Sequence, residues 1–292
     1  MEAVLMSSCT VVGAFSISRP RHLTCSPGLS SRSRKQHWVL PPRRSVGHLI
    51  MRASSTLPAS ISSPPPCPSP SQDTLGIWQA ADAVCFDVDS TVCTDEGIDA
   101  LGEFCGAGKA VAAWTSRAMG GSVPFEDALA ARLALFKPSL MDVESFLASN
   151  PPKISPGIEE LIRKLHSKGK AVYLISGGFR QMIAPVAKIL RIQEENIFAN
   201  KLLFNENGSY AGFDIKEPTS KSGGKAAAIA HLKQKFGYKK LVMIGDGATD
   251  LEARQPGGAD IFVCFGGVQF RVPVAAQADW CVLNFRDLIE SL

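Results

Sequence analysis

The sequence predicts an α/β fold, built on a doubly wound parallel sheet with a small helical insertion after the first strand. Short apolar runs such as Val84–Phe86, Ala171–Ile175 and Lys240–Ile244 alternate with segments of helical length and periodicity. Strands that alternate with helices favour a parallel sheet with helices on both faces. Polar residues directly follow all three of these runs, and such sheets bind their ligands beyond the carboxyl ends of the strands.

The first 72 residues differ in composition from the rest of the chain. They contain eight Lys or Arg residues and one acidic residue, Glu2, and they are rich in Ser and Pro. Residues 1–52 are therefore predicted to be an organelle transit peptide, with the Ser and Pro content favouring the plastid (chloroplast stroma) over the mitochondrion. A disordered basic arm would have the same composition. Residues 53–72, dominated by Pro and Ser, are predicted to be a linker.

The remaining part of the chain is mildly acidic. Residues 73–292 carry 23 basic and 26 acidic side chains, a net charge of −3. This balance argues against a nucleic-acid partner, and no apolar stretch reaches the ~18 residues that a membrane span requires. We therefore expect a small-molecule substrate, no nucleic-acid partner and no membrane partner, and a homodimer is left open.

The cysteines show no metal-binding pattern. Cys9, Cys25 and Cys67 lie in the leader, and the other five are scattered without a C-x-x-C pair. This distribution predicts buried thiols in a reducing compartment, with no zinc site and no disulfide framework.

The helical insertion is predicted at residues 95–155. Its helices are expected at 99–117, 126–136 and 140–148. The chain would then have a core domain of residues 73–94 and 156–292, with the insertion as a cap domain. Asn207-Gly208, between alternating apolar residues, predicts a β-hairpin within the core.

Three polar clusters follow the apolar strands, at Asp87–Thr91, Ser176–Gly178 and Gly245–Asp250. Because the carboxyl ends of parallel strands meet at one edge, we expect the clusters to converge there. Asp87 and Asp89 are separated by one residue, and like charges this close at the end of a buried strand are costly unless a cation or a shared proton offsets them. A strand end with solvated acids is the alternative.

Convergence would bring four carboxylates, those of Asp87, Asp89, Asp246 and Asp250, to this edge. A set of oxygen ligands without His or Cys suits a hard cation, and Mg²⁺ is the most common such ion. The sequence therefore predicts a Mg²⁺ site.

Other groups near these carboxylates suit an anion. Ser176 and the amides of Gly177 and Gly178 are predicted to donate hydrogen bonds at the start of a helix, and Lys225 opens another helix. A cation, a lysine, a hydroxyl and amides together indicate a site for phosphoryl transfer. Taken singly, Lys225 is also compatible with a solvated surface lysine, and Ser176 with a helix cap.

These motifs, in this order, resemble the haloacid dehalogenase (HAD) superfamily of phosphatases. They are Asp-x-Asp-x-Thr at 87–91, the strand-end Ser176, the helix-start Lys225 and Gly-Asp-Gly-x-x-Asp at 245–250, within a match over roughly residues 80–292. Phe-Asp-Val-Asp-Ser-Thr-Val, Ser-Gly-Gly-Phe, Ser-Gly-Gly-Lys and Gly-Asp-Gly-Ala-Thr-Asp further resemble the phosphoserine phosphatase family, and the leader resembles its plant plastid members.

The resemblance implies a HAD-like Rossmannoid core with a helical cap. It also implies Mg²⁺-dependent hydrolysis of O-phospho-L-serine to L-serine and phosphate. That reaction is the final step of the phosphorylated pathway of serine biosynthesis.

The resemblance assigns the chemistry to the paired aspartates. Asp87 would be the nucleophile that forms an aspartyl-phosphate, and Asp89 would protonate the departing serine oxygen and then accept a proton from the hydrolytic water. Mg²⁺ would bind Asp87, Asp246 and the main-chain carbonyl of Asp89, with Asp250 supporting the site.

The phosphoryl oxygens are assigned by the same resemblance to Ser176, Gly177 and Lys225. Thr249 stands where some members of the superfamily carry Asn. A hydroxyl is able to reach phosphate or water, and the contact that Thr249 makes is left open.

The resemblance also implies partners for the two ends of phosphoserine. Glu96 matches the acid that binds the ammonium group, and Arg132 matches the residue that clamps the carboxylate, a task that suits a planar guanidinium. Met119, Gly120 and Phe125 match residues that line the pocket. Without the resemblance, Glu96 is a solvated acid in a turn, Arg132 a surface residue of a helix, and Met119 and Phe125 ordinary packing.

The predicted cap would close over the site and exclude water until serine has left. Two other functions are open at this point. One is hydrolysis of, or phosphotransfer from, another small phosphate monoester. The other is a catalytically silent protein that binds a metabolite, against which the intact set of catalytic residues argues.

Overall fold

The computed structural model describes residues 67–119 and 123–292 of the 292-residue chain. The predicted transit peptide and residues 53–66 of the predicted linker lie outside the described residues, as do Cys9 and Cys25. The side chains of Ala118 and Met119 are likewise not described.

A six-stranded sheet forms the centre of the fold. The strands of the described chain are β1 (Ala83–Phe86), β2 (Ala171–Phe179), β3 (Ile197–Asn200), β4 (Leu202–Phe204), β5 (Tyr210–Phe213), β6 (Leu241–Gly245), β7 (Ile261–Phe265) and β8 (Trp280–Val282). The sheet has the order β3-β2-β1-β6-β7-β8, and all neighbouring strands are parallel. The predicted parallel α/β fold is confirmed. The predicted hairpin is formed by the antiparallel pair β4 and β5.

Eleven α-helices of the described residues surround the sheet or lie in the insertion. They are α1 (Gln72–Gln79), α2 (Gly97–Phe104), α3 (Gly108–Met119), α4 (Phe125–Phe136), α5 (Leu140–Ser149), α6 (Ile158–Ser167), α7 (Arg180–Ile189), α8 (Gly224–Phe236), α9 (Ala248–Glu252), α10 (Val272–Ala275) and α11 (Arg286–Glu290). Within this part of the chain, no helix combines the length and the apolarity that crossing a bilayer requires.

The sheet has an apolar core on each face. In β1, Val84 and Phe86 pack in the core that contains residues of α1, α6, α7 and α11, whereas Ala83 and Cys85 pack in the core that contains residues of α8 and α10. Successive side chains of a strand point to opposite faces, so β1 contributes to both cores. A strand buried on both faces consists of a continuous apolar run, which explains the uninterrupted sequence of β1.

The insertion between β1 and β2 consists of α2 to α5. Helices α2, α4 and α5 share a third apolar core, to which Leu101, Leu129, Phe146 and the hairpin residue Leu202 contribute. The prediction of one helix over residues 99–117 is wrong, since α2 and α3 are separate helices. Gly106 lies between them with φ = 78°, a left-handed conformation that interrupts a right-handed helix.

A disulfide joins Cys67 to Cys281 of β8, with the two Cα atoms 5.1 Å apart. The prediction of no disulfide is therefore wrong for this pair. The Cys281 amide also donates a hydrogen bond of 2.9 Å to the Pro68 carbonyl, so the end of the predicted linker runs along the edge strand. A sequence separation of 214 residues gives this pairing no local signature.

Candidate active site

The three polar clusters converge at the carboxyl edge of the sheet and border one cavity of about 900 Å³. The floor of the cavity, formed by the sheet edge and the start of α8 and α9, contains Asp87, Asp89, Gly177, Lys225, Asp246 and Thr249. The roof, formed by the insertion, contains Glu96, Phe125 and Arg132. The structure thus brings most of the predicted site residues together.

Asp87 and Asp89 have different partners. The chain turns irregularly over Val88–Val92, where Asp89 keeps an extended conformation (φ −61°, ψ 133°) and Ser90 adopts φ = 53°. Asp87 Oδ2 pairs with Lys225 Nζ at 2.7 Å, whereas Asp89 Oδ1 accepts a hydrogen bond of 2.8 Å from the Gly97 amide at the start of α2. The two carboxylates are therefore one residue apart in sequence but contact different partners.

Burial has a large effect on the acids of the floor. Burial, reinforced by the negative charges of Glu96 and Asp87, raises the pKa of Asp89 to about 8. Burial and the charge of Asp87 raise the pKa of Asp246 to about 6. A carboxyl group with the pKa of Asp89 is able to hold a proton at neutral pH, as a general acid must.

Lys225 lies between two acids of the floor. Its Nζ is 2.7 Å from Asp87 Oδ2 and 2.5 Å from Asp250 Oδ1, and the residue is only 6% exposed. Burial alone would lower the pKa of Lys225, but the carboxylates of Asp250 and Asp87 outweigh it and raise the pKa above its usual value. A solvated surface lysine is thereby excluded.

The carboxylate oxygens of Asp87, Asp246 and Asp250 lie within 4.8 Å of one another and are buried. This is a donor set of oxygens alone, which fits a hard divalent cation. Asp250 has both oxygens engaged, one by Lys225 and the other by the Gly247 amide at 2.9 Å. That arrangement suits a supporting residue better than a direct ligand.

The Ser176 region differs in detail from the sequence expectation. Strand β2 continues to Phe179, so the amides of Gly177 and Gly178 belong to the strand end and not to the start of a helix. The register of β2 against β3 shifts between Ile175 and Phe179. Glycines within a strand often mark such an irregularity, and Gly177 and Gly178 lie at this one. Ser176 is fully buried, its Oγ accepts a hydrogen bond of 2.9 Å from the Gly178 amide, and it does not line the cavity.

The guanidinium of Arg132 is buried in the roof, with the residue 8% exposed. It donates from Nε to the Ala128 carbonyl at 3.2 Å and from Nη1 to Thr115 Oγ1 at 3.4 Å. Within the described ranges, no carboxylate lies within 4.0 Å of its nitrogen atoms. Burial lowers the pKa of Arg132, although Asp99 and Glu96 oppose that shift. The alternative that Arg132 is an exposed residue on the surface of a helix is therefore excluded.

The other roof residues surround the opening between insertion and sheet. Glu96 Oε1 accepts a hydrogen bond of 2.8 Å from Ser90 Oγ, and burial raises the pKa of Glu96. The Phe125 ring packs on Gly177 so closely that a Cβ atom there would lie 2.7 Å from the ring. Met119 ends α3, but its side chain lies outside the description, as does Gly120 entirely.

Sequence reasoning missed Arg271. Its Nε and Nη2 lie 3.0 and 2.9 Å from Asp246 Oδ2, and Nη2 is 3.7 Å from Glu96 Oε1. Arg271 therefore connects the floor to the roof. The available signal was its place after β7, behind Gly266-Gly267, since that loop also lies at the carboxyl edge of the sheet.

Comparison with known proteins identifies relatives over the same residues. The model of the haloacid dehalogenase-like hydrolases matches residues 81–258. The chloroplastic phosphoserine phosphatase of Arabidopsis thaliana is 66% identical over 223 residues, which are 76% of each chain. The phosphoserine phosphatase of Rattus norvegicus is 53% identical over 216 residues, which are 74% of this chain and 95% of that protein.

Solved structures show the same architecture. DsGPDH of Dunaliella salina is 38% identical with a TM-score of 0.68, over 77% of this chain and only 38% of that longer chain. A phospho-aspartyl intermediate analogue of phosphoserine phosphatase is 26% identical with a TM-score of 0.63, over 73% of this chain and 99% of that chain. The chain belongs to the haloacid dehalogenase-like hydrolases and, within them, to the phosphoserine phosphatases.

Proposed function

We propose that the protein hydrolyses O-phospho-L-serine to L-serine and phosphate in the cavity between floor and roof. The observation that carries this substrate is the buried guanidinium of Arg132, which has only neutral partners among the described residues. Asp99 and Glu96 act on this charge only from beyond contact distance. A buried charge without a direct counterion is costly, so an anionic group of the ligand is its expected partner. The phosphoserine carboxylate supplies that group, while the phosphoryl group meets Asp87 and Lys225.

In the first step, an Asp87 carboxylate oxygen attacks phosphorus and the bond from phosphorus to the serine oxygen breaks. Asp89 donates its proton to that oxygen, so serine leaves as a neutral alcohol. The raised pKa of Asp89 and its separate position at the Gly97 amide support this role. The solved phospho-aspartyl intermediate analogue of a related phosphatase is consistent with a covalent intermediate.

In the second step, water attacks the phosphorus of the aspartyl-phosphate. Asp89, now ionised, accepts a proton from the water, and the bond between phosphorus and the Asp87 oxygen breaks. Phosphate leaves, and both aspartates return to their starting states. One residue thus serves as acid and then as base, which covalent catalysis in two steps allows.

We assign Mg²⁺ to the cluster of buried oxygens. Asp87, Asp246 and the main-chain carbonyl of Asp89 would hold it, and Asp250 would support the site by fixing Lys225. When bound, the ion would offset the negative charge that Asp87 and the phosphoryl oxygens bring together.

The remaining residues would bind the substrate. Lys225, the Gly177 amide and Thr249 are assigned to the phosphoryl oxygens. Ser176, which lies beneath the cavity surface, is assigned to positioning the Gly178 amide beside them. Glu96 is assigned to the ammonium group and Arg132 to the carboxylate. The pocket walls are assigned to Phe125, Met119 and Gly120.

The composition of the leader and a chloroplastic relative support a cellular location for this reaction. We assign the protein to the plastid stroma, after removal of residues 1–52, and to the step that releases serine in serine biosynthesis. A chloroplastic relative supports the assignment. Fusion of residues 1–60 to a fluorescent reporter tests it, because a purely cytosolic signal would contradict a transit peptide.

A substrate panel with the purified full chain tests the activity. We expect phosphate release from O-phosphoserine with Mg²⁺ and its loss with a chelator. O-phosphoethanolamine, which lacks the carboxylate, is the matched control and should have a much lower kcat/KM. Equal kcat/KM for the two esters would contradict the proposed substrate, and transfer of phosphate to an added alcohol would indicate a phosphotransferase.

A further inference from the structure

The start of α4 is hydrogen-bonded to the loop that precedes α8. The Phe125 amide donates to Ser222 Oγ at 3.2 Å, and the Ser222 amide and hydroxyl donate to Glu126 Oε2 at 3.0 and 3.1 Å. A hydroxyl has one proton to donate and lone pairs that accept, so Ser222 is able to make both side-chain contacts at once. The three hydrogen bonds join segments that are 96 or 97 residues apart.

This contact lies between the two parts of the site. Helix α4 carries Phe125 and Arg132 of the roof, while Ser222 lies three residues before the floor residue Lys225. Gly223, with φ = 72°, starts the turn into α8 and directs the chain from Ser222 to Lys225. The position of α4 is thereby tied to the loop that delivers the lysine to Asp87.

The contact is suited to form and break. All three of its hydrogen bonds are exposed, so water is able to replace them when the segments separate. The covalent connections of the insertion are at different residues, where Cys93 and Ile154 form an antiparallel bridge between the two chain passages. The contact with Ser222 is therefore a non-covalent attachment of the insertion, in addition to its apolar packing on Leu202 and the hydrogen bond from the Leu140 amide to the Gly208 carbonyl.

Glu126 is held in its ionised form. Hydrogen bonds from its own amide and from the Ser222 amide, with the nearby charge of Lys221, lower the pKa of Glu126. A carboxylate in the first turn of α4 is also favoured by the helix dipole. Hydrogen bonds to an ionised acceptor are stronger than neutral ones, which suits a contact of only two side chains.

We propose that Glu126 and Ser222 form a latch that holds the helical insertion closed over the substrate. Both are positioning residues: they act by keeping Arg132 and Phe125 over the floor and touch no reacting atom. The inference rests on the proposed hydrolysis of phosphoserine and adds to it the contact by which the roof is held. Because the latch works through Arg132, its loss affects substrates that carry a carboxylate most.

Kinetics of the full-length chain test the latch. We expect Glu126→Ala to raise the KM for phosphoserine roughly three- to tenfold, with kcat within about twofold of the wild type. The KM for O-phosphoethanolamine should change less than about twofold, since that ester offers Arg132 no carboxylate. Ser222→Ala should raise the KM for phosphoserine similarly, and the double variant should be no worse than either single variant, because both remove the same contact.

Matched variants separate a latch from a general effect on folding. Asp127→Ala removes the neighbouring acid of the same helical turn, an exposed side chain for which no hydrogen bond occurs within the described residues, and should leave KM unchanged. Glu126→Gln and Ser222→Thr keep an acceptor and a hydroxyl, respectively, and should restore much of the lost affinity. Hydrogen exchange should show faster exchange of the Phe125 amide in both alanine variants.

Two results would overturn the latch: a KM for Glu126→Ala equal to that of Asp127→Ala, or additive effects of Glu126→Ala and Ser222→Ala. Unchanged exchange at the Phe125 amide would also overturn it. If the wild-type chain released no phosphate from phosphoserine, the proposed function would fail, whereas the exchange measurement would still decide whether the contact holds α4 in place.

Discussion

The floor and the roof of the cavity differ in how their charges are compensated. In the floor, Lys225 lies within 2.7 Å of Asp87 and 2.5 Å of Asp250, and Asp246 is paired with Arg271. In the roof, Arg132 contacts only a carbonyl and a hydroxyl within the described part of the chain. Among the described residues, each cation of the floor has a carboxylate in direct contact before substrate arrives, and the Arg132 cation of the roof has none.

This difference separates chemistry from selection. Groups fixed by their neighbours before the substrate arrives need no rearrangement during reaction, which favours catalysis at the floor. A buried cation that has no carboxylate in contact gains most from a ligand that supplies one, which favours selection at the roof. Changes to the floor should therefore lower kcat, and changes to the roof should raise KM.

The largest expected effect comes from the floor. Asp87→Asn removes the proposed nucleophile and should lower kcat by roughly 10⁴-fold or more, while phosphoserine should still bind through the roof. Phosphate release and calorimetric binding measure the two separately. Asp95→Asn is the control, because Asp95 is a more exposed acid of the following loop, 3.5 Å from Lys153. Activity that survives in Asp87→Asn would contradict the proposed mechanism.

The next effect comes from the roof. Arg132→Ala should raise the KM for phosphoserine by roughly 30- to 150-fold, since a hydrogen-bonded charge pair of about 2–3 kcal/mol is lost. The KM for an aryl phosphate should change little. Arg132→Lys should restore part of the affinity, because a lysine keeps the charge but not the planar pair of donors. Equal losses for both substrates would remove the distinction between floor and roof.

A smaller effect is expected on the thermal stability of the protein, which should depend on pH and on Mg²⁺ through the acids of the floor. The folded chain without metal binds protons at Asp89 (pKa about 8) and Asp246 (pKa about 6) more tightly than the unfolded chain does. Their contribution to stability is therefore complete below about pH 4 and is lost as the pH rises to about 8. Mg²⁺ favours the ionised carboxylates, so its effect on Tm should grow over the same range.

Thermal unfolding with and without Mg²⁺ measures this dependence. We expect a gain in Tm at about pH 8 that exceeds the gain at about pH 5.5 by several degrees. Asp246→Asn should reduce that difference. A gain that is equal at the two pH values would show that the ion does not bind the buried acids of the floor.

The smallest effect on activity is expected from the Cys67–Cys281 disulfide, none of whose residues lines the cavity. Cys67→Ser should lower the free energy of unfolding by about 2–4 kcal/mol, because the bridge constrains a long loop of the unfolded chain. Both kcat and KM should stay near wild-type values. Denaturant unfolding with and without a reductant gives the measurement, and Cys105→Ser, which replaces a partly exposed free thiol, is the control. A changed KM would show that the edge strand influences the roof.

Much of the floor was predictable because its residues follow strands. Apolar residues of β1, β2 and β6 are followed by Asp87, Gly177 and Asp246, and parallel strands place these residues along one edge. The roof was less predictable. Spacing identified Arg132 only through a family resemblance, and its burial depends on how α3 and α4 pack.

The features that the sequence did not predict depend on the backbone conformation of single residues or on contacts between distant residues. Gly106 divides the predicted helix because a left-handed residue interrupts it, and composition alone does not reveal that φ. Strand β2 extends past Ser176 because β3 continues to pair with it as far as Phe179. Arg271 was overlooked because its partner Asp246 precedes it by 25 residues, on a different strand end.

The sequence by itself determined the alternation of strands and helices, the strand-end position of the acids and the all-oxygen donor set, because each follows from local pattern and residue chemistry. The tertiary structure alone decided the placement of Lys225 between two carboxylates, the burial of Arg132 away from direct contact with a carboxylate, the contact of Glu126 with Ser222 and the pairing of Cys67 with Cys281. These features join residues that are 25 to 214 positions apart or depend on the packing of several helices. A local pattern carries no information about which distant side chains meet.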